Sequence, residues 1–253
     1  MSFCKHCIQG VRHEGVPEGK FEIIGNIKTY VATPSGECPK DKAILFLTDG
    51  FGPELDNNLL LADDFARNGF RVYLPDLFDG DPVPAEVLSS NGALGNNFDF
   101  SQWISNHSPA PAQAKVEAVV DVLKSQGVTR FGAIGYCYGG RLCFNLAFEN
   151  KVHAVVGNHP SMLELSDIDK YAETASAPLL LNTCEIDPAF TAEKQSRADE
   201  VLGGGRYKPG YERIFWPGAT HGFAVRGDLD NPQVKEAKEG AFKSGVEWFI
   251  KYL

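Results

Sequence analysis

The sequence predicts a single-domain α/β fold in which a mostly parallel central sheet is flanked by helices. Apolar runs of strand length alternate with segments of helical spacing after an opening hairpin, a pattern typical of parallel strands joined by right-handed crossovers. Hydrophobic residues make up 43% of the 253 residues, enough for one sizeable core. No internal repeat or low-complexity linker divides the chain. We therefore expect an N-terminal arm at residues 1–20 and one domain at residues 21–253.

The individual elements are predicted from local patterns. Gly25-Asn26 between two short apolar segments indicates a β-hairpin. Residues 55–68 have helical apolar spacing and end before Gly69, a typical C-terminal cap. The same criteria predict strands at 21–24, 27–32, 43–47, 71–74, 130–134, 152–157, 179–182 and 211–216, and helices at 55–68, 111–125, 139–149, 192–202 and 234–251.

Residues 81–110 are the least regular stretch. Pro, Asn, Gly and Ser are frequent there, together with the aromatic residues Phe98, Phe100 and Trp103. A long excursion of this kind in a compact domain is often functional. Two interpretations stay open: a lid over a site, or a surface decoration with its own small apolar cluster.

Charge and hydropathy exclude several classes of partner. Lys and Arg total 24 and Asp and Glu total 33, so the formal net charge is 24 − 33 = −9. Nucleic acids and anionic membranes select basic surfaces, so we expect neither as a partner. The longest apolar runs are strand-sized, far below the roughly 20 residues of a membrane span. Without an export signal we expect a cytoplasmic protein with reduced cysteines, acting as a monomer or weak homodimer.

The N-terminal arm contains a cluster of metal-ligating residue types. Cys4, His6, Cys7 and His13 lie close together in sequence, but a zinc site normally shows a second ligand pair at a defined spacing. That pair is incomplete here. We predict no metal site and a structural arm, with a metal or redox role of the Cys-x-x-Cys motif as the alternative.

The most specific motif is Gly-Tyr-Cys-Tyr-Gly-Gly at residues 135–140, between a predicted strand and a predicted helix. A nucleophile on a sharp strand-to-helix turn needs small neighbours, which Gly135 and Gly139 supply. Cys137 would project above the sheet, the Tyr138 amide could face an oxyanion, and the helix N-terminus favours a thiolate. The rival interpretation, a phosphate-binding loop, would need Gly-Lys-Ser/Thr, which is absent.

A thiol nucleophile needs a base and an acid. His221 lies after the strand 211–216 and before the last helix, the place of a catalytic histidine in the chain order nucleophile, acid, base. Asp187, after the strand 179–182, is the candidate acid that fixes its tautomer, and Glu185 is the rival. His159 precedes the acid loop, so we interpret it as a pocket or hydrogen-bonded polar residue.

At these residues the chain resembles the dienelactone hydrolase family, which is carboxymethylenebutenolidase-like and has an α/β-hydrolase fold with a nucleophile elbow. The resemblance spans roughly residues 20–253. It implies a Cys137-Asp187-His221 triad. It also implies that a carboxylate after the first core strand, here Asp49 in place of glutamate, holds the resting thiol, and that the Gly50 amide is the second oxyanion donor beside Tyr138.

The resemblance leaves the substrate less defined. Members that act on dienelactone hold its carboxylate with a pair of arginines. The first of these arginines would fall at residues 78–81, which contain none. The second would fall at Val225, and Arg226 is the next residue. A neutral ester or lactone therefore fits as well as dienelactone. The candidate substrate-binding residues are Tyr136, Arg141, His159, Phe223 and Arg226.

The sequence therefore favours a cofactor-independent hydrolase of small esters or lactones that acts through an acyl-enzyme on Cys137. A non-catalytic binding protein on a hydrolase scaffold is the alternative from another class, and it would predict a broken triad.

Overall fold

The computed structural model describes residues 9–88 and 98–253, and a mixed sheet of eight strands lies at the centre of this part of the chain. Strand order across the sheet is β1-β2-β4-β3-β5-β6-β7-β8. β1 and β2, and β2 and β4, pair antiparallel, and every other neighbouring pair is parallel. The strands are β1 (Lys20–Ile24), β2 (Ile27–Ala32), β3 (Lys42–Leu47), β4 (Val72–Pro75), β5 (Arg130–Tyr136), β6 (Ala154–Asn158), β7 (Leu179–Ile186) and β8 (Tyr211–Thr220).

Helices cover both faces of the sheet. They are α1 (Asp56–Arg67), α2 (Phe100–Asn106), α3 (Pro109–Ser125), α4 (Tyr138–Phe148), α5 (Leu165–Thr174), α6 (Ala192–Leu202), α7 (Phe223–Arg226) and α8 (Pro232–Tyr252). Apolar residues of α3, α4, α5 and α6 belong to one buried cluster, and those of α1, α7 and α8 belong to another. None of the described helices is long and apolar enough to cross a membrane.

The central strand β3 shows how the sheet separates these two clusters. Side chains alternate between the faces of a strand. Ile44 and Phe46 therefore join the cluster of α1 and α8, while Leu45 and Leu47 join the cluster of α3 and α4, and all four are fully buried. A continuous apolar run is the signature of a strand covered on both faces.

Most predicted elements are confirmed, but some strands extend beyond their predicted ends. The hairpin turn has Gly25 and Asn26 at φ of 59° and 64°, as a two-residue type I′ turn requires. β7 continues to Ile186 and β8 to Thr220, so the predicted loop after residue 182 is partly strand. A register shift at Cys184/Ile186 marks a bulge in β7.

Three helices of the described part of the chain lie outside the predicted set. α2 lies in the irregular stretch, and α7 has only four residues, too few for a periodic pattern. α5 buries only Ile168 and Tyr171, so its apolar signal is weak, and a capping box between Glu164 and Asp167 fixes its start.

The described part of the N-terminal arm docks on α1. Arg12 donates to Asp64 Oδ1 through Nε at 2.6 Å and its amide donates to Asp64 Oδ2 at 2.6 Å. His13 Nε2 lies 2.9 Å from Glu239 Oε1 on α8. Across residues 9–88 and 98–253 no group of three or more His, Cys, Asp or Glu side chains could hold a metal ion. Cys4, His6 and Cys7 lie outside the described residues, so the metal or redox alternative is untested.

Candidate active site

The turn between β5 and α4 holds Cys137 in a strained conformation. Its φ of 48° and ψ of −108° lie in a region that non-glycine residues rarely adopt, as at a nucleophile elbow. A Cβ added at Gly139 would overlap the Leu47 carbonyl, and one at Gly135 would overlap the Gly139 backbone. Gly135 thus allows α4 to approach β5, and Gly139 allows α4 to approach the end of β3.

The carboxyl ends of five neighbouring strands meet at this turn. Because β3, β5, β6, β7 and β8 are parallel, the residues that follow them lie at one edge of the sheet. This edge brings together Asp49 after β3, Cys137 after β5, residues 158–161 at the end of β6, Asp187 after β7 and His221 after β8.

Asp187 and His221 are in direct contact. The His221 Nδ1–H donates to Asp187 Oδ1 at 2.8 Å, inside the hydrogen-bond limit of about 3.2 Å. The same oxygen accepts from the amides of Ala189 at 2.9 Å and Phe190 at 3.0 Å, which fix the carboxylate. The rival Glu185 is exposed and accepts from the Gly218 amide at 2.8 Å instead.

The electrostatics of the site favour a thiolate–imidazolium pair. Burial raises the pKa of the Cys137 thiol and the Asp49 charge raises it further, but the His221 charge and hydrogen bonds from His221 and Ser161 outweigh both and lower it. Burial lowers the pKa of His221, but Cys137 and Asp187 together raise it to about 10. Burial raises the pKa of Asp187, and the His221 contact and two backbone amides bring it below its ordinary value.

Asp49 is fully buried beside this pair, but its oxygens contact other residues. Oδ1 accepts from Asn58 Nδ2 at 3.0 Å and from the Phe51 amide at 3.3 Å, and Oδ2 lies 3.6 Å from Arg226 Nε. Burial raises the pKa of Asp49, while the Arg226 charge lowers it. The Asp49 charge raises the pKa of the Cys137 thiol, and Arg226 is the cation next to Asp49.

Gly50 follows β3 and Tyr138 follows Cys137, so both backbone amides belong to the edge of the sheet that holds the site. Tyr138 is the first residue of α4, where an amide has no acceptor within its own helix. Within residues 9–88 and 98–253 we find no acceptor for either amide. A Cβ on Gly50 would lie 3.2 Å from Val83 and 3.3 Å from the Trp103 ring, so a larger residue would crowd this corner.

The candidate substrate-binding residues differ in exposure. Tyr136 is in the core, stacked on Phe46 with ring centroids 4.9 Å apart. Phe223 is buried as well. Arg141 is partly exposed and pairs with Asp167 at 2.7 Å, while Arg226 pairs with Asp49.

His159 is fully buried next to the site. Neither ring nitrogen has a hydrogen-bond partner in the described part of the chain. The ring packs edge-on against His221 at 5.0 Å between centroids and against Phe223 at 5.4 Å. Burial, with the charges of His221 and Arg226, holds the pKa of His159 well below its ordinary value, so the ring is neutral.

The irregular stretch contributes an aromatic wall. Trp103 is buried, stacks on His107 with centroids 4.4 Å apart and meets the Phe78 ring edge-on at 5.0 Å. The Tyr138 hydroxyl donates to the Ser108 carbonyl at 3.1 Å, which ties this stretch to the elbow. Residues 89–97 lie outside the described residues, so the choice between lid and decoration is untested.

Two neighbours of the site were missed from the sequence. Ser161 lies with its Oγ 3.6 Å from Cys137 Sγ, and its position just after β6 is a signal that could have found it. Asn58, on α1, is a hydrogen-bond partner of Asp49, and no sequence signal marks it.

Comparison with known proteins places the chain in a family. Residues 27–253 match the dienelactone hydrolase family. Hydrolase pyvD of Aspergillus violaceofuscus is 34% identical over 248 residues, covering 98% of this chain and 96% of that protein. Dienlactone hydrolase 2 of Gibberella moniliformis is 32% identical, covering 96% and 92%.

Solved structures share the fold at low identity. A dienelactone hydrolase from Anabaena variabilis aligns with a TM-score of 0.63 at 17% identity, covering 94% of this chain and 100% of that one. A monoglyceride lipase from Saccharomyces cerevisiae aligns with a TM-score of 0.58 at 12% identity, covering 94% and 96%. With its eight-stranded sheet and these relatives, the chain is a hydrolase of α/β-hydrolase fold and belongs to the dienelactone hydrolase family.

Proposed function

We propose that the protein hydrolyses small esters or lactones, without a cofactor, through an acyl-enzyme on Cys137. The observation that carries the proposal is the chain of contacts from Asp187 through His221 to Cys137 at the strained turn before α4. A nucleophile, a base and an orienting acid in this order are the parts that acyl transfer requires.

The reaction begins with attack of the Cys137 thiolate on the substrate carbonyl carbon. A C–S bond forms, and the carbonyl electron pair moves to an oxyanion held by the Gly50 and Tyr138 amides. When the oxyanion collapses, the C–O bond to the leaving group breaks. The His221 imidazolium donates its proton to the departing oxygen, which leaves a thioester on Cys137 and a neutral imidazole.

Water completes the cycle. His221 takes a proton from water as the water oxygen attacks the thioester, and collapse of the second oxyanion breaks the C–S bond. The acid product leaves, and the thiolate–imidazolium pair is restored. Asp187 keeps its proton-accepting oxygen on Nδ1 throughout, so Nε2 stays directed at the reacting atoms.

Asp49 has an electrostatic role in this proposal. Its negative charge opposes thiolate formation at Cys137, and Arg226 offsets part of that charge. The resting reactivity of Cys137 would then depend on the Asp49–Arg226 pair.

The substrate class follows from the groups beside the turn. Trp103 and Phe78 supply apolar surface, and Arg226 is the cation next to Asp49. These groups suit a small ester or lactone with an apolar or unsaturated acyl part, either neutral or carrying a carboxylate. One relative is named a dienlactone hydrolase, and dienelactone belongs to this class.

The test is a panel of small esters and lactones assayed with wild type, Cys137→Ala and Cys143→Ala. We expect Cys137→Ala to lower turnover by at least about 10³-fold while its circular dichroism spectrum is unchanged. Cys143→Ala, which removes another buried thiol, should stay within about threefold of wild type. A folded Cys137→Ala variant with unchanged turnover would remove the proposal in favour of another nucleophile. No turnover by wild type on any substrate would favour a binding protein.

A further inference from the structure

The segment after β6 wraps around the nucleophile turn. The Cys137 amide donates to the Asn158 carbonyl at 3.2 Å, and the Ser161 amide donates to the Cys137 carbonyl at 2.9 Å. His159 and Met162, on either side of Ser161, have φ of 36° and 59°, in the region that favours glycine. Non-glycine residues adopt this region at a cost, so the bends are maintained by the surrounding contacts.

These bends place the Ser161 side chain on the sulfur. Ser161 Oγ lies 3.6 Å from Cys137 Sγ, within hydrogen-bond reach for a sulfur atom. Pro160 fits against Gly140 of α4, where an added Cβ would lie 2.5 Å from the Pro160 Cβ. Packing and backbone bonds thus fix the segment on both sides of the hydroxyl.

We propose that Ser161 is a further catalytic residue, whose hydroxyl donates to the Cys137 thiolate and accepts the S–H hydrogen bond when the sulfur is protonated. The proposal rests on the function proposed above, in which Cys137 is the nucleophile. It adds a residue that contacts the reacting atom and that the triad and the oxyanion donors do not include.

A hydroxyl is suited to both states of the sulfur. It carries one donor hydrogen and two acceptor lone pairs, so rotation about the Cβ–Oγ bond lets it accept from S–H or donate to S⁻. A carboxylate such as Asp49 can only accept. The Asp49 oxygens are also engaged by Asn58, the Phe51 amide and Arg226.

The groups around the sulfur act on its ionisation in opposite directions, so a hydrogen bond donated by Ser161 adds to the side that favours the thiolate. Cys137 is buried, and it faces His221 from the loop after β8 and Asp49 from the end of β3. Arg226 of α7 lies behind Asp49, and neutral His159 lies behind His221. The Ser161 hydrogen bond lowers the pKa of the Cys137 thiol, acting with His221 and against burial and Asp49.

The test measures alkylation of Cys137 by iodoacetamide from pH 5 to pH 10, read at the Cys137 peptide by mass spectrometry. Ser161→Ala and Ser161→Val lack the hydroxyl, while Ser161→Thr keeps it in a side chain of the same shape as valine. We expect the two hydroxyl-free variants to shift the midpoint to higher pH and to slow alkylation at pH 7 by about tenfold. The Thr variant should keep the wild-type midpoint.

Two results would overturn the inference. One is an unchanged midpoint in Ser161→Ala or Ser161→Val. The other is an equal shift in Ser161→Thr and Ser161→Val, which would make the side chain a packing element. If Ser161→Ala fails to fold, the matched Thr and Val pair decides.

Failure of this inference differs from failure of the proposed function. If Cys137→Ala loses turnover while the Ser161 variants keep the wild-type midpoint, only the Ser161 role falls. If Cys137→Ala keeps turnover, the proposed function is wrong, whatever the Ser161 variants show. Ser125→Ala, which removes an exposed hydroxyl on α3, controls for loss of a serine remote from the site and should match wild type.

Discussion

Two buried thiols six residues apart, Cys137 and Cys143, have opposite chemical character. Both are free; Cys137 directly precedes α4, and Cys143 lies in the middle of that helix. The pKa of Cys137 is below its ordinary value, whereas burial alone raises the pKa of Cys143. Cys143 packs in the apolar cluster with its sulfur against Gly135.

The difference shows that neighbouring charged and hydrogen-bonding groups, rather than burial, decide whether the pKa of a buried thiol is lowered or raised here. Burial raises the pKa of both thiols, but only Cys137 meets a charge-compensating imidazole and a hydroxyl. Cys184 supports the same conclusion. It is buried beside Asp187, with Sγ 3.8 Å from Oδ2, and burial together with the carboxylate charge raises its pKa.

The largest expected effect comes from the acid that orients His221. Asp187→Asn keeps the side-chain volume but no longer stabilises an imidazolium or the required tautomer, so we expect turnover to fall by about 10³- to 10⁴-fold. Glu185→Gln, two residues away, should remain within about threefold of wild type. Steady-state kinetics with the best ester of the panel measures both. A larger loss in Glu185→Gln would mean that the acid is misassigned.

The next effect is the contrast in alkylation between the two thiols. The thiolate is the reactive form, and a lowered pKa keeps Cys137 ionised at pH values below the ordinary thiol value of 9.0. Its reactivity is then lost only as the pH falls through that lowered pKa. At pH 7 we expect iodoacetamide to modify Cys137 at least about 100-fold faster than Cys143. Peptide mapping after timed labelling measures the ratio, and equal rates would contradict the account.

A smaller effect is expected from Asp49. Its charge raises the pKa of Cys137, so Asp49→Asn should move the alkylation midpoint to lower pH and speed alkylation at low pH by about two- to fivefold. The pH profile of turnover should change with it. Asp56→Asn, an exposed carboxylate at the start of α1, is the matched control. If alkylation and turnover keep their wild-type pH profiles in Asp49→Asn, Asp49 has only a structural role in the turn before Pro53.

The smallest effect on activity is expected at Cys143. Cys143→Ala removes a sulfur from the core without touching the triad, so the free energy of unfolding should fall by about 1–2 kcal/mol. Turnover should change by less than about threefold. Urea denaturation and kinetics on the same sample measure both quantities. A loss of turnover comparable to that of Cys137→Ala would show that the two thiols act together.

The sheet and the chain order of the site were predictable because both rest on local patterns. Strand-sized apolar runs predict β3, β5 and β6, and the residues that follow strands at one edge of a parallel sheet include Cys137, Asp187 and His221. Contacts between those residues follow from the order of the strands. Their catalytic roles go beyond position and are proposals.

The rest depends on long-range packing that no short pattern encodes. The extensions of β7 and β8 form because the two strands pair with each other past residue 182. The partners of Asp49 come from α1 and α7, which are distant in sequence. The contacts of the His159 ring with His221 and Phe223 join segments that are distant in sequence.

The central claim is that Cys137 carries the acyl group. Its most direct test is rapid acid quenching of wild type during turnover of an activated ester, followed by mass spectrometry of the peptides. The account predicts an added acyl mass on the peptide that contains Cys137, absent in Cys137→Ala and unaffected in Cys143→Ala. Turnover with the acyl mass on another residue, or with full activity in Cys137→Ala, would contradict it.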